Sequence, residues 1–234
     1  YVDEMLVILP FEKDFYKKHQ VNAHFVGHPL LDAISDLLEI SVENFKKENG
    51  LNDKEIIALL PGSREQEVEK MLSLMLSVRN HFKNYQFVIA GAPSLPKEFY
   101  QKFVDDDVHF VSNKTYDLLR CSKAALVTSG TATLETALLN IPEIVCYRTS
   151  TISYEIEKRV VKNIKFISLV NLIMDREIVK ELIQKELNTE NLVNELQKIL
   201  EGQKRDKMLE NYELLREKLG GKGASEHAAE IIVN

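Results

Sequence analysis

The sequence contains only two cysteines, Cys121 and Cys146, and no tryptophan. With no CxxC pair and no framework of paired cysteines, a disulfide-stabilised secreted fold is excluded, and a reducing cytosolic environment is expected. Acidic residues outnumber basic ones, 36 to 30. The net charge of −6 argues against a general nucleic-acid-binding protein, because such proteins gain affinity by neutralising phosphates. We therefore expect no nucleic-acid partner.

Long apolar runs and several familiar catalytic motifs are also missing. No run approaches the roughly 20 apolar residues that a membrane-spanning helix needs, and no signal peptide is visible. There is no GxGxxG fingerprint, no Walker lysine and no GxSxG elbow, which argues against a dinucleotide cofactor, a P-loop and the commonest esterases. The six histidines show no metal-ligand spacing. We therefore expect no metal and no cofactor.

The overall composition is that of a soluble globular protein. The chain has 234 residues, of which 44% are hydrophobic and 28% are charged, and this length fits one large or two small domains. The sequence starts at Tyr1 rather than at a methionine, and it soon enters the apolar run Met5–Leu9. We therefore expect a piece of a longer protein.

Short apolar runs alternate with amphipathic segments along the chain. The run Ile56–Leu60 is apolar throughout, which is typical of a parallel strand buried on both faces. Strands are predicted at 2–9, 56–60, 87–90, 108–111, 124–128 and 144–147, and a short extended piece at 166–170. Helices are predicted at 11–19, 30–49, 65–82, 116–121, 153–161 and from 176 onward, with breaks near 188 and 202. This alternation predicts an α/β fold with a Rossmann-like, doubly wound parallel sheet.

Three loops stand out at one edge of the predicted sheet. Ligands of such sheets bind beyond the carboxyl ends of the strands. The loops Gly62–Glu65, Gly91–Pro93 and Ser129–Thr131 each follow a predicted strand. The sequence therefore predicts a ligand site formed by these loops.

The first of these loops, Pro61-Gly62-Ser63-Arg64, joins a predicted strand to a predicted helix. Gly62 permits a tight turn, Ser63 can cap the helix with Gln66 completing a capping box, and Arg64 can present its planar fork to a phosphate. The simpler interpretation is a capped helix with a solvated arginine. The spacing alone leaves both interpretations open.

The third loop, Ser129-Gly130-Thr131, also lies between a predicted strand and a predicted helix. Backbone N–H groups and the positive end of the helix dipole would face an anion here. Glu135, about one turn into the helix, could accept both hydroxyls of a ribose. The simpler interpretation is a plain N-cap followed by a carboxylate that the helix dipole favours in any case.

Several segments together resemble lipid-A-disaccharide synthase, a bacterial glycosyltransferase family. The matching segments are Leu9–Glu12, Phe25–Leu30, Leu60–Arg64, Ser129–Glu135, Tyr147–Arg148, Ile167–Ile173, Arg176–Glu177 with Glu181–Leu182, and Gly220–Ser225. They follow the family's order and span nearly the whole chain. Each segment is a weak signal alone, but together they are highly specific.

The resemblance implies one half of a two-domain GT-B glycosyltransferase. Such an enzyme joins UDP-2,3-diacylglucosamine to 2,3-diacylglucosamine 1-phosphate by a β-1,6 linkage, releases UDP, needs no metal, and works peripherally at the cytoplasmic face of the inner membrane. The residues that would bind UDP or the substrate are Gly62, Ser63, Arg64, Ser129, Gly130, Thr131, Glu135, Arg148, Asn171 and Arg176, of which Asn171 and Arg176 would lie near the cleft. The family places its catalytic base in the N-terminal domain, so the base is not expected among these residues and a fragment would bind UDP without turnover.

The resemblance also implies a division of the chain. Residues 1–28 would be the tail of the N-terminal domain with a hinge, 29–219 the UDP-binding domain, and 220–234 a C-terminal helix that crosses back and can exchange between subunits of a swapped homodimer. By itself, the segment Gly220–Gly223 indicates a flexible joint with a helix C-cap at Gly220. Two alternatives stay open: a UDP-N-acetylglucosamine 2-epimerase-like enzyme and a non-catalytic nucleotide-binding domain.

Overall fold

The computed structural model of the chain describes residues 3–105, 107–128, 130–148 and 165–233. The strands in these ranges are β1 Met5–Val7, β2 Ala23–Phe25, β3 Glu55–Leu60, β4 Tyr85–Gly91, β5 Val108–Ser112, β6 Ser122–Thr128, β7 Glu143–Tyr147 and β8 Lys180–Ile183. The α-helices are α1 Pro10–Lys18, α2 Pro29–Ser35, α3 Val42–Glu48, α4 Glu65–Leu76, α5 Lys97–Gln101, α6 Thr115–Arg120, α7 Thr131–Leu138, α8 Leu169–Met174, α9 Thr189–Leu200, α10 Gln203–Lys218 and α11 Ala224–Val233.

Two parallel sheets organise these elements. Strands β1 and β2 pair by themselves, and the other six strands form one sheet in the order β5-β4-β3-β6-β7-β8. Every pair in the larger sheet is parallel. The chain builds outward from β3 to β5 and then returns to lay β6 on the other side of β3. This reversal confirms the doubly wound fold and creates a switch point between β3 and β6.

The larger sheet is covered on both faces, as its apolar strands require. Ile57 and Leu59 of β3 lie in one apolar cluster, whereas Ile56, Ala58 and Leu60 lie in the other. This alternation follows from the two-residue period of a strand. One face is covered in part by α4, whose Val68, Met71, Leu72 and Met75 are buried at helical spacing.

Three predictions about secondary structure were wrong. The helix predicted at 30–49 is two helices, α2 and α3, because Ser41 caps α3 by accepting a hydrogen bond from the backbone N–H of Asn44 at 3.4 Å. The extended piece predicted at 166–170 instead leads into α8, which Ser168 caps. Strand β8 lies in a region predicted to be helical. The helix predicted at 153–161 lies outside the described residues.

The last helix, α11, packs against the turn between β2 and α2. The N–H of His28 donates to the carbonyl of Leu219 at 3.1 Å. The carboxylate of Asp32 accepts the N–H groups of Gly223 at 2.7 Å and Ser225 at 3.4 Å. Helix α10 ends at Lys218 and its C-cap is Leu219, one residue before the predicted position; Gly220 follows with a φ of +91°, as is common for the glycine just after a C-cap. The division into three parts at 28 and 219 stays a prediction.

Candidate functional site

A cavity of about 460 Å³ opens at the carboxyl edge of the larger sheet, at the switch point between β3 and β6. The ends of β3, β4 and β6 form its floor, and the starts of α4, α6 and α7 form its walls. It is lined by Leu60, Gly62, Ser63, Glu67, Ala90, Gly91, Ala92, Pro93, Thr115, Thr128, Gly130, Thr131, Ala132 and Glu135. The three loops singled out in the sequence therefore meet at one site, although Ser129 itself lies outside the described residues.

Glycines at positive φ make the turns that lead into α4 and α7. Gly62 has a φ of +105° and Gly130 a φ of +142°, in a region that favours glycine because a side chain is strained there. At Gly62 a Cβ would also lie 2.6 Å from Oε2 of Glu67. The tight turn predicted at Gly62 is thus confirmed.

Neither of these two helices carries a side-chain cap at its N-terminus. Ser63 was predicted to cap α4. The N-cap is instead Arg64, which has an extended backbone and whose side chain makes no capping hydrogen bond. Gly130 is the N-cap of α7 and has no side chain to offer. The first N–H groups of both helices are thus left for a ligand at the cavity, where the positive ends of the helix dipoles favour an anion.

The middle loop, Gly91–Pro93, is held rigidly beside the first. The hydroxyl of Ser94 donates to the carbonyl of Ser63 at 2.8 Å. The hydroxyl of Tyr100 accepts the N–H of Ala92 at 3.0 Å. Gly91 lies against the ring of Phe110, since a Cβ there would be 2.2 Å from Cε2. These contacts fix the wall of the cavity opposite α7.

Glu135 brings a half-buried carboxylate to the cavity. Burial raises the pKa of Glu135, and a hydrogen bond from the hydroxyl of Tyr116 works in the opposite direction. Burial, the negative charge of Glu135 and this hydrogen bond together raise the pKa of Tyr116 to about 12. Tyr116 therefore stays protonated and donates to the carboxylate at neutral pH.

Arg64 flanks the cavity without lining it. Its side chain is exposed, and within the described ranges its guanidinium forms no hydrogen bond or ion pair. The side chain is thus available to a ligand that binds between α4 and α7. Both the phosphate-binding and the solvated interpretation of Arg64 stay predictions.

Two other predicted site residues, both arginines, lie elsewhere and make contacts of their own. Arg148 follows β7, and its Nη2 donates to the carbonyls of Gln184 at 2.9 Å and Leu187 at 2.5 Å. Arg176 donates to the side-chain oxygen of Asn211 at 2.6 Å. Neither arginine lines the cavity, and their roles toward UDP stay predictions.

Asn171 is fully buried in a hydrogen-bond network. Its Oδ1 accepts the N–H groups of Ile178 at 2.7 Å and Val179 at 3.0 Å. Its Nδ2 donates to the carbonyl of Val179 at 2.9 Å and to the carboxylate of Glu181 at 2.8 Å. Glu181 also accepts the N–H and the hydroxyl of Ser168. The side chain of Asn171 thus ties α8 to β8, and it does not line the cavity.

Sequence reasoning missed Glu67, Thr115 and Thr128 as lining residues. Thr128 ends β6 and Thr115 begins α6, so both lie at the carboxyl edge of the sheet. A search for further polar residues just after the predicted strands could have found them. Glu67 is the third residue of α4, a position where an acidic residue is common for reasons of helix stability alone. No group of three or more metal-ligating side chains is found among the residues that the structure describes.

Comparison with known proteins decides the family. The sequence model of the lipid-A-disaccharide synthetase family matches residues 1–233. The chain belongs to this family. It is 39% identical to the lipid-A-disaccharide synthase of Syntrophus aciditrophicus, covering 97% of this chain and 61% of that protein. It is 36% identical to the synthase of Persephonella marina, covering 99% of this chain and 65% of that one. The chain therefore spans less than two thirds of the length of these relatives.

Solved structures share the fold across low sequence identity. A UDP-GlcNAc 2-epimerase from Neisseria meningitidis, bound to UDP-GlcNAc, matches with a TM-score of 0.67 at 17% identity, covering 98% of this chain and 61% of that one. The glycotransferase of kitacinnamycin matches with a TM-score of 0.63 at 10% identity, covering 98% of this chain and 54% of that one. These likenesses show the architecture alone, so the match to epimerases does not favour the epimerase alternative over the family that the sequence shows. Within the described ranges, no helix has both the length and the apolar character needed to cross a membrane.

Proposed function

We propose that this chain is the UDP-sugar-binding half of a lipid-A-disaccharide synthase, an inverting glycosyltransferase. The reaction would join UDP-2,3-diacylglucosamine to 2,3-diacylglucosamine 1-phosphate by a β-1,6 linkage and release UDP. The observation that carries the proposal is the cavity at the switch point. The N-termini of two helices without side-chain caps line this cavity, together with the carboxylate of Glu135. Membership of the family supports the choice of substrates.

The diphosphate would bind between the starts of α4 and α7. Gly62, Ser63, Gly130 and Thr131 line the cavity there, and their small size lets an anion approach the backbone. As UDP leaves, negative charge grows on its β-phosphate. Preorganised N–H groups and a nearby arginine stabilise such charge without the reorganisation that water requires. Arg64, which is unengaged in the described part of the chain, would supply that positive charge.

The ribose would lie against Glu135. An ionised carboxylate accepts two hydroxyl hydrogens at once, and the vicinal hydroxyls of a ribose present this pair. Burial raises the pKa of Glu135, and the hydrogen bond from Tyr116 opposes that rise and so favours the ionised form that the ribose would need. The proton of the attacking acceptor hydroxyl would go to a base outside this cavity, in the other domain that the family implies. We assign that role to no residue of this chain.

The domain division, the homodimer and the membrane contact are part of the same proposal. Residues 1–28 would end the first domain and 220–234 would form the crossing helix. In a swapped homodimer, the contacts of Asp32 with Gly223 and Ser225 would form between subunits instead of within one. The whole enzyme would act peripherally at the cytoplasmic face of the inner membrane. A molecular mass that stays monomeric at every protein concentration would count against the dimer.

Calorimetric titration tests the central proposal. UDP should bind more tightly than UMP, and UMP more tightly than uridine, because each phosphate adds contacts with the helix starts and Arg64. UDP-2,3-diacylglucosamine in detergent should compete with UDP for the same site. ADP serves as a control for the base. Absence of binding at millimolar UDP would overturn the proposal. Equal affinity for UDP and ADP would show that the site binds nucleoside diphosphates without recognising the base.

A further inference from the structure

Glu67 places a second carboxylate in the cavity, apart from Glu135. It is the third residue of α4 and lines the cavity. Its Oε2 would lie 2.6 Å, and its Cδ 2.8 Å, from a Cβ added to Gly62. The carboxylate thus fills the space that the missing side chain of Gly62 leaves, immediately beside the turn that would hold the diphosphate.

The carboxylate of Glu67 has no hydrogen-bond or ion-pair partner among the described residues, whereas Glu69 on the same helix pairs with Lys102. The helix dipole favours an acidic residue anywhere in the first turn. Glu65 satisfies that preference while remaining exposed and outside the cavity lining. The dipole therefore explains an acidic residue in this turn but not the location of Glu67 within the cavity.

The chemistry of the nucleotide limits what Glu67 can bind. An ionised carboxylate only accepts hydrogen bonds, and so do the oxygens of a diphosphate, so the two repel each other. The compatible parts of a nucleotide sugar are its hydroxyl groups. Glu135 on α7 faces the ribose in the proposed function, and Glu67 belongs to α4, the other helix that flanks the switch point. With the diphosphate between the two helix starts, the second carboxylate would meet the opposite end of the ligand.

We infer that Glu67 accepts hydrogen bonds from hydroxyl groups of the sugar that the nucleotide carries, and so distinguishes a nucleotide sugar from the free nucleotide. This inference rests on the proposed function and deepens it. The hydroxyls on C4 and C6 are the candidates, because positions 2 and 3 are acylated in the proposed donor. After transfer, the carboxylate loses its partner and stands unpaired beside the diphosphate, which favours release of UDP.

Titration of three proteins with two ligands tests the inference. The wild-type chain, Glu67→Gln and Glu65→Gln are titrated with UDP and with UDP-N-acetylglucosamine, a soluble probe that carries the same free hydroxyls on C4 and C6. Glu67→Gln should lose on the order of tenfold in affinity for UDP-N-acetylglucosamine while its affinity for UDP stays equal or rises, because a negative charge beside the diphosphate has been removed. Glu65→Gln removes the same charge from the same turn and should change both affinities by one small factor.

The difference between the two ligands decides the outcome. If Glu67→Gln changes both affinities by the same factor, Glu67 does not contact the sugar and the inference is overturned, while the proposed UDP site stands. If the wild-type chain binds neither ligand, the proposed function fails and the inference fails with it. Matching thermal unfolding midpoints of the three proteins exclude a loss of fold as the cause, which is expected since the Glu67 side chain has no partner to lose in the described chain.

Discussion

The hydroxyl of Tyr116 donates a hydrogen bond to the half-buried carboxylate of Glu135. The two residues come from neighbouring helices, α6 and α7, that begin at the same edge of the sheet. Burial alone would favour the neutral form of Glu135, and the hydrogen bond shifts the balance back toward the charged form. The proposed binding of ribose by Glu135 would therefore depend on Tyr116, which would act on the nucleotide only through Glu135.

Tyr116→Phe should weaken UDP binding by about 0.5–1.5 kcal/mol and shift its pH dependence. Without the hydrogen bond the pKa of Glu135 rises further. Because the proposed binding needs the ionised carboxylate, the loss of affinity on acidification should then begin at a higher pH than in the wild type. UDP titrations over a series of pH values measure this shift. Tyr85→Phe, at the opposite end of the sheet, is the matched control. Coincident pH profiles for Tyr116→Phe and wild type would contradict the positioning role.

Arg64→Ala should weaken UDP binding by about 1.5–3 kcal/mol, the range for a hydrogen bond to a charged group. The affinity for uridine should not change, because uridine has no phosphate. Thermal stability should not change either, since the guanidinium has no partner within the described residues. Calorimetry with both ligands makes the measurement. Unchanged UDP affinity would return Arg64 to the role of a solvated side chain at a helix start.

Asn171→Ala should destabilise the fold rather than weaken UDP binding directly. The substitution leaves the buried N–H groups of Ile178 and Val179 without an acceptor, and each unsatisfied group costs about 1–3 kcal/mol. Urea unfolding measures the loss, with the exposed Asn80→Ala as the control. The family resemblance implies a role toward UDP instead. Wild-type stability together with weaker UDP binding would support that role and overturn the structural one.

Glu143→Gln should stabilise the protein at neutral pH and flatten the pH dependence of its stability. Glu143 is fully buried, and neither carboxylate oxygen has a hydrogen-bond partner among the described residues. Burial raises its pKa well above the ordinary 4.5, so the native state keeps a proton that the unfolded chain releases. Stability therefore falls as pH rises above the unfolded value.

The amide that Glu143→Gln introduces does not titrate, so the gain in the free energy of unfolding should grow as the pH rises above the pKa of Glu143 in the unfolded chain. Urea unfolding of wild type and Glu143→Gln at acidic and neutral pH measures the gain. The exposed Glu39→Gln should leave the wild-type pH dependence in place. Parallel curves for wild type and Glu143→Gln would show that the raised pKa of Glu143 does not govern stability.

The buried strands and the position of the site could be predicted because their signals are local. Ile56–Leu60 is apolar on both faces, and glycines mark the turns after β3 and β6. Strand β8 was missed because its four residues, Lys180–Ile183, include two that are charged. Its Glu181 is buried only because Ser168 and Asn171 satisfy it. Such pairing between distant polar residues leaves no periodic signal in the sequence.

The functional assignments of single polar residues show the same limit. Asn171 and Glu135 both lie in segments on which the resemblance to the family was based. Asn171, in α8, accepts hydrogen bonds from the backbone of Ile178 and Val179, whereas Glu135 lines the cavity. The sequence around Ser63 is typical of a helix N-cap, but Ser63 does not cap α4. Which of these side chains turns toward the ligand depends on tertiary packing, and the spacing of residues does not contain it.

The bond between Asp32 and Gly223 joins residues that are 191 positions apart. A ribosome makes Gly223 191 residues after Asp32, once the whole six-stranded sheet has been translated. The turn between β2 and α2, with Gly27 packed on Ala224, thus waits for its partner while the residues between them are made. The sheet can form while the chain is still being made, but attachment of the β1–β2 pair through α11 has to wait until α11 has been made. The order of assembly is therefore set by the length of chain that separates two residues in contact.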